Sequence, residues 1–289
     1  MSENTDQKLV AFVDGSVYSP SVCHHAAWIA GRTGETVELV HVIDRRTLAS
    51  PPSDLSGTIA LGARTALLEE LADLDEQRSR LAQLHGRAIL DDAKALVEKA
   101  GVTKVTTKLR IEDVIEAVDE IEASADLVVV GKRGETADFA KMQLGSNLER
   151  IARHSDRPVF VASRAFKPIK RCLLAYDGGK SAMKAADYIA RSPLFQGLAC
   201  HILIIGADNP ENQQRLTDAK ALVEAGGHKT TGEIMAGMPE KTIGRVVEEQ
   251  DFDLVAMGAF GHSRIRHMLM GSTTTAMIRS CLVPVMLFR

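Results

Sequence analysis

The sequence is poor in aromatic residues, 4% with a single tryptophan, and its four cysteines form no Cys-x-x-Cys pair. Cys23, Cys172, Cys200 and Cys281 are scattered through apolar stretches, which speaks against a metal knuckle or a disulfide framework and predicts buried free thiols. A basic excess is lacking too. The formal net charge of −3 argues against a general binder of nucleic acid or anionic membranes. No uncharged apolar run approaches the roughly 18 residues needed to span a bilayer. The opening residues, Met1 to Lys8, are polar and acidic, without the cationic-then-apolar order of a secretory signal. A cytoplasmic location is expected. What the chain does have is length and apolar content: 289 residues, 45% hydrophobic and 25% charged, suit two globular domains of about 140 residues, each able to bury a core.

Those two domains are copies of one another. Leu9-Val-Ala-Phe-Val-Asp14-Gly15 aligns with Cys172-Leu-Leu-Ala-Tyr-Asp177-Gly178 at an offset of 163, and the same offset brings Thr36–Val42 onto Ala199–Ile205. Further on, Asp126-Leu-Val-Val-Val-Gly131 aligns with Asp253-Leu-Val-Ala-Met-Gly258 at an offset of 127. The chain reads as a tandem duplication. Domain 1 is taken as residues 1–166 and domain 2 as 167–289.

The drop in offset means that the first half carries 36 extra residues between its second and fourth strands. They belong to a helical insert at about 44–100: a loop signal at Ser50-Pro-Pro-Ser53, then a leucine-rich helix from about Ala63 to Ala100. Leu67, Leu71, Leu74, Leu81 and Leu84 fall roughly on one helix face. Core packing is expected of them, in preference to a partner-binding face.

Within each half, strands and helices alternate, and the strands are continuously apolar. In the second half they fall near Cys172–Tyr176, Cys200–Ile205, Thr230–Met235, Leu254–Met257 and Val285–Phe288. This predicts an α/β fold of two tandem, doubly wound, five-stranded parallel-sheet domains. Ligands of such sheets bind at strand carboxyl ends, where the strand order reverses. The final strands, Val159–Val161 and Val285–Phe288, are apolar and suited to sheet edges, where one half can pair with the other or with a second chain.

Two glycine loops lie at such carboxyl ends: Gly131-Lys-Arg-Gly134 followed by Gly145-Ser146, and Gly258-Ala-Phe-Gly261 followed by Gly271-Ser272. Glycine bends let several backbone N–H groups converge, and the following helix adds its own orphan N–H groups and positive dipole end. That is phosphate-site chemistry. For Ser272 the residues leave two roles open, capping the helix or bonding a phosphate oxygen.

With these loops and the strand-end Asp-Gly pairs, the chain resembles a tandem universal stress protein of the nucleotide-binding, adenine-nucleotide-alpha-hydrolase-like type. The family pattern, Gly-x2-Gly-x9-Gly-(Ser/Thr), is met by Gly258, Gly261, Gly271 and Ser272. In the first half ten residues instead of nine separate Gly134 from Gly145. The resemblance implies ATP as ligand, with magnesium held by its phosphates. It implies further that Asp177 lines the ribose and base side, that backbone near Ile205 meets the adenine edge, and that Gly258, Gly261, Gly271, Ser272 and Thr273 wrap the phosphates. The matching first-half positions are Asp14, Val42, Gly131, Gly134, Gly145, Ser146 and Asn147. Ser16 also fits the family, whereas the second half has Gly179 there.

Charge ranks the two sites. The spacer after Gly261 contains His262, Arg264, Arg266 and His267, while that after Gly134 contains Glu135, Asp138 and Lys141. Cationic neighbours favour a triphosphate, so the second half is expected to bind ATP more tightly.

Other motifs fall away. Gly178-Gly179-Lys180-Ser181 is no P-loop, because Leu174 stands where the first glycine is required, and Ser181 instead begins a helix. His24 and His25 are adjacent on a helix and point apart, and no metal site or catalytic residue is assigned. The expected role is that of an ATP-binding stress-response protein with a structural or regulatory switch, hydrolysing ATP slowly at most. Its expected partners are adenine nucleotide, a second copy of the chain and unidentified proteins. The competing reading is a nucleotide-independent interaction and dimerisation module of the same fold. An adenylating enzyme is disfavoured, since neither Asp14-Gly-Ser16 nor Asp177-Gly-Gly179 supplies the expected loop.

Overall fold

The computed structural model describes residues 8–45, 61–132, 146–259 and 271–289, with only the backbone of residues 61–67 and Ser146. The first half runs β1 (Lys8–Phe12), α1 (Ser19–Thr33), β2 (Thr36–Ile43), α2 (Leu61–Lys99), β3 (Val105–Ile111), α3 (Val114–Glu122), β4 (Ala125–Gly131), α4 (Ser146–His154) and β5 (Val159–Ala162). The second repeats it: β6 (Arg171–Ala175), α5 (Lys180–Arg191), β7 (Ala199–Ile205), α6 (Pro210–Ala225), β8 (Thr230–Met235), α7 (Pro239–Glu249), β9 (Leu254–Gly258), α8 (Ser272–Ser280) and β10 (Val285–Phe288).

All ten strands join in one sheet of order β3-β2-β1-β4-β5-β10-β9-β6-β7-β8. Within each half every pairing is parallel, and the halves meet through a single antiparallel pair, β5 with β10, in the register Val161 to Val285, Phe160 to Met286 and Val159 to Leu287. Each half thus seals the other's apolar edge, one of the two outcomes that the edge-strand reading allowed. The central strands read as continuous apolar runs because helices cover both faces. One core cluster packs α1, the carboxyl-terminal part of α2, α5 and α6 across both halves, and a second packs α3, α4, α7 and α8 on the opposite face. All four cysteines are free and buried, and Cys172 lies beside Cys200 in the β6–β7 register.

One expectation is corrected. Three of the five leucines named for the insert do not pack into the core: Leu74, Leu81 and Leu84 are 43%, 66% and 53% exposed, and Leu71 is only half-buried. The side chain of Leu67 lies outside the described residues. The core contribution of α2 comes from Ile89, Leu90, Ala93 and Val97 instead. Helix length is the reason. Thirty-nine residues make a rod of roughly 58 Å, whereas a seven-residue strand spans roughly 23 Å, so most of α2 has no sheet to lie on.

Candidate functional site

The strand order reverses between β1 and β4 in the first half and between β6 and β9 in the second. At these two switch points the crossovers leave in opposite directions, so the strand ends splay apart and open a crevice. Because β5 and β10 are antiparallel, the two crevices face opposite rims of the sheet.

The second crevice is built as follows. Ala175 pairs with Leu203 and with Met257, so Asp177, Ile205 and the residue after Gly258 stand level at the ends of three adjacent strands. Neighbouring strands lie about 4.8 Å apart, which spreads this row over roughly 10 Å. Asp177 is exposed and turns the chain sharply: its Oδ1 accepts the Gly179 N–H at 2.8 Å, and Gly178 sits at φ +75°, a left-handed conformation natural to glycine. Gly179 then caps α5, with Ser181 in its first turn. On the far side, Gly271 caps α8 without any side-chain bond, and Ser272 follows it as the first helical residue. Ser272 is therefore not the N-cap residue of α8. The first-turn N–H groups of α8 have no acceptor within the helix. Thr274 anchors this turn from below, its hydroxyl donating to the Ala259 carbonyl at 3.2 Å.

The first crevice repeats the plan. Phe12 pairs with Val40, and Ala11 with Val129, so Asp14, Val42 and Lys132 stand level. The Asp14 carboxylate accepts from the Ser16 N–H at 3.0 Å and from the Ser19 hydroxyl at 3.1 Å, and Gly15 has φ +77°. Ser16 is buried and its hydroxyl accepts the Tyr18 N–H, so it builds the loop. The backbone bond to the aspartate is the same with Gly179, and the second half keeps the turn without the hydroxyl.

Two copies of one α/β unit, with an Asp-Gly turn and a helix amino end beside the same switch point, define a family geometry. The universal stress protein family matches the chain over residues 7–163 and again over 204–289. The chain belongs to that family. Among its relatives, universal stress protein Slr1230 of Synechocystis sp. is 35% identical over 98% of this chain and 100% of its own length. Universal stress protein MJ0531 of Methanocaldococcus jannaschii is 29% identical over 57% of this chain and 86% of its own. A universal stress protein structure from Archaeoglobus fulgidus superposes with a TM-score of 0.69 over 99% of both chains at 23% identity, which supports the fold. The second family match begins inside β7, so Asp177 is tied to the universal stress protein pattern by the internal repeat.

Of the predicted site residues, the structure brings Asp177, Ile205, Gly258, Gly271, Ser272 and Thr273 to one rim, and Asp14, Val42, Gly131 and Asn147 to the other. Ser146 opens α4 beside Asn147. Gly134, Gly145 and Gly261 lie outside the described residues, as do the charged residues of both spacers. Gly258 has a packing duty of its own, since a Cβ there would lie 2.3 Å from Ser181 Oγ and 3.2 Å from the Ala182 nitrogen. Among the described residues, the atoms nearest to a Cβ on Gly271 would be 3.5 and 3.6 Å away, at ordinary contact.

Two residues escaped the sequence reading. Arg215 of α6 lies along the Asp177-Gly178 turn, its Cδ and Nε 3.1 Å from where a Gly178 side chain would start, and its guanidinium bonds Glu211 and Asn212. Ile89 of α2 holds the equivalent place against Gly15, at 2.9 Å. The repeat was legible at the strands, but these residues sit on helices whose lengths differ between the halves. Lys132 was read as part of a phosphate loop. Its Nζ donates to the Cys281 carbonyl at 2.8 Å, tying the first half's loop to the second half.

Burial and the neighbouring Asp177 and Asp218 carboxylates hold the Tyr176 hydroxyl above its ordinary pKa, partly opposed by Arg215. Among the described residues no group of three His, Cys, Asp or Glu side chains could hold a metal ion.

Proposed function

We propose that the chain binds adenine nucleotide, ATP with magnesium carried on its phosphates, and acts in the stress response through a nucleotide-dependent structural or regulatory change. The observation that carries this reading is the recurrence, in both halves, of an Asp-Gly turn and a helix amino end flanking the same switch point. Asp177 would receive the ribose, backbone at Ile205 the adenine edge, and Gly271, Ser272 and Thr273 the phosphates, with Gly258 and Gly261 shaping the loop. Asp14, Val42, Gly131, Gly134, Gly145, Ser146 and Asn147 would do the same in the first half. The first-turn N–H groups of α8, which have no acceptor within the helix, suit an anion, and the dipole of the helix adds to them.

The second site is the tighter one in this reading. Arg215 stands beside its Asp-Gly turn where the first site has Ile89, and Lys132 of the first site is engaged with Cys281. In this reading the bound nucleotide acts as a structural or regulatory ligand, with hydrolysis slow at most.

Mass spectrometry of small molecules released by denaturing the purified protein tests the reading, together with calorimetric titration of Mg-ATP. The expected result is adenine nucleotide in the released fraction, binding weakened far more by Gly271→Val than by Gly145→Val. No released nucleotide and no titratable heat would remove the reading. The alternative, an interaction module independent of nucleotide, would then stand, favoured by the exposed leucines of α2.

A further inference from the structure

The two halves share a cavity that lies apart from both crevices. The first half contributes the carboxyl end of α1 and the chain entering β4 and β5, the second half contributes α5 and the carboxyl end of β10, and the volume is about 430 Å³. None of the residues named for either crevice lines it. A space of that size suits a small organic molecule.

Most charges on its wall are already spent. Arg191 Nε donates to Asp187 Oδ1 at 2.7 Å, the Arg289 guanidinium lies 3.3 Å from Asp156 Oδ1, and Arg157 Nε donates to the Glu122 carbonyl at 3.2 Å. Glu35 and Asp126 are left over, with no ion pair to either carboxylate among the described residues. Glu35 Oε2 is moreover shut off from solvent without a hydrogen-bond partner among those residues. A buried acceptor in that state is costly until a donor reaches it.

The two carboxylates also act on their surroundings. Burial and then Asp126 hold the Glu35 carboxyl above its ordinary range, with the Thr33 side chain opposing. Burial and the same two carboxylates push the Tyr188 hydroxyl of α5 up to about 12, against the Ser192 side chain. Three acidic groups that hinder one another's ionisation mark a place of negative potential, and a positive charge among them relieves all three. Aromatic surface stands beside them. Tyr188 and Phe288 both line the cavity, with ring centroids 5.4 Å apart and planes inclined at 57°, and aromatic faces attract cations.

A bare metal ion is offered too few ligands, since no group of three His, Cys, Asp or Glu side chains could hold one among the described residues. Lys184 of α5, exposed and without an ion pair among those residues, favours one positive charge over two in the occupant.

We propose that this cavity binds a small organic monocation, a primary ammonium ion with an apolar body, its charge against Glu35 and Asp126 and its body against Tyr188 and Phe288. Such an occupant bridges the two halves.

Calorimetric titration of the full-length protein with phenethylammonium chloride, at neutral pH and without nucleotide, tests the proposal independently of the nucleotide reading. Saturable binding is expected, weakened about tenfold or more by Glu35→Gln and by Asp126→Asn. Both substitutions keep the shape of the side chain, and circular dichroism checks that the fold is retained. Lys184→Met, at an exposed position, should tighten binding. Phenethyl alcohol and phenylacetate carry the same ring without the positive charge, and each should bind about tenfold more weakly or not at all. No saturable heat with the ammonium ion, equal binding of phenylacetate, an affinity indifferent to both carboxylate variants, or weaker binding by Lys184→Met would each overturn it.

Discussion

Gly258 and Ser181 touch across the crevice floor: the last residue of β9 and the first turn of α5 leave no room for a Cβ, which would sit 2.3 Å from the serine Oγ. This contact couples the phosphate-side loop to the helix that follows the Asp177 turn.

Gly258→Ala is therefore expected to destabilise the fold by about 1–3 kcal/mol, the range for overpacking a tight interior. Ser181→Ala added to it removes the closest clash and should recover part of that loss. Urea denaturation of both singles and the double measures the coupling. Strict additivity would show that the two residues do not compete for this space. Loss of nucleotide binding in a Gly258 variant is thus no evidence of direct contact, whereas a Cβ at Gly271 meets the described residues only at ordinary contact distance.

The Arg215 position gives a test specific to the second site. Its guanidinium is half-buried and shared with Glu211, so its field at the crevice is partly neutralised and screened. Arg215→Leu should weaken Mg-ATP binding by about fivefold, corresponding to roughly 1 kcal/mol, and flatten its dependence on salt. Titration calorimetry at two ionic strengths reads both. Unchanged affinity at low salt would remove Arg215 from the site.

Most of the architecture was legible because it is written in strands. Val128–Val130 and Val255–Met257 are buried on both faces, and such runs alternate with helices in only one common arrangement. The antiparallel junction was visible as apolar edges, but the choice of partner was not, since Val161 would pair equally well with another chain. The leucines of α2 misled because periodicity reports a face and not what covers it. Only the helix length relative to the sheet decides that. Arg215 was invisible for a related reason: a lone arginine on a largely polar helix reads as solvated until a turn is placed beneath it.

His25 predicts a pH dependence. It is fully buried in α1, with its Nδ1 2.7 Å from the Ser21 carbonyl, where it donates, and its ring against Phe160 and Phe166. Burial, with the nearby His24, pushes its pKa down to about 4, and the Ser21 carbonyl opposes this. Unfolded, the imidazole titrates near 6.5. Between those values the unfolded chain holds a proton that the folded chain does not. Its contribution is complete above pH 6.5 and is lost as the pH falls towards 4, on the order of 3 kcal/mol in all. His25→Leu should flatten the stability profile in that window. An unchanged slope in urea titrations from pH 7 to 4 would show that the imidazole does not govern it.

The shared sheet and the core cluster running through both halves imply that they unfold together. Trp28, the single tryptophan, lies in the first half, and Arg32, stacked 5.3 Å over its ring, reaches the Leu194 carbonyl of the second half at 2.6 Å. The Trp28 fluorescence reports on α1 and its immediate surroundings, whereas circular dichroism reports on the whole chain. Leu174 is fully buried in β6, in the second half, so Leu174→Ala should cost about 2–5 kcal/mol. If the halves form one cooperative unit, that substitution shifts the Trp28 transition and the dichroism transition to the same lower midpoint. A Trp28 transition that stays in place while the dichroism splits would mean that the β5–β10 junction joins two independently stable halves.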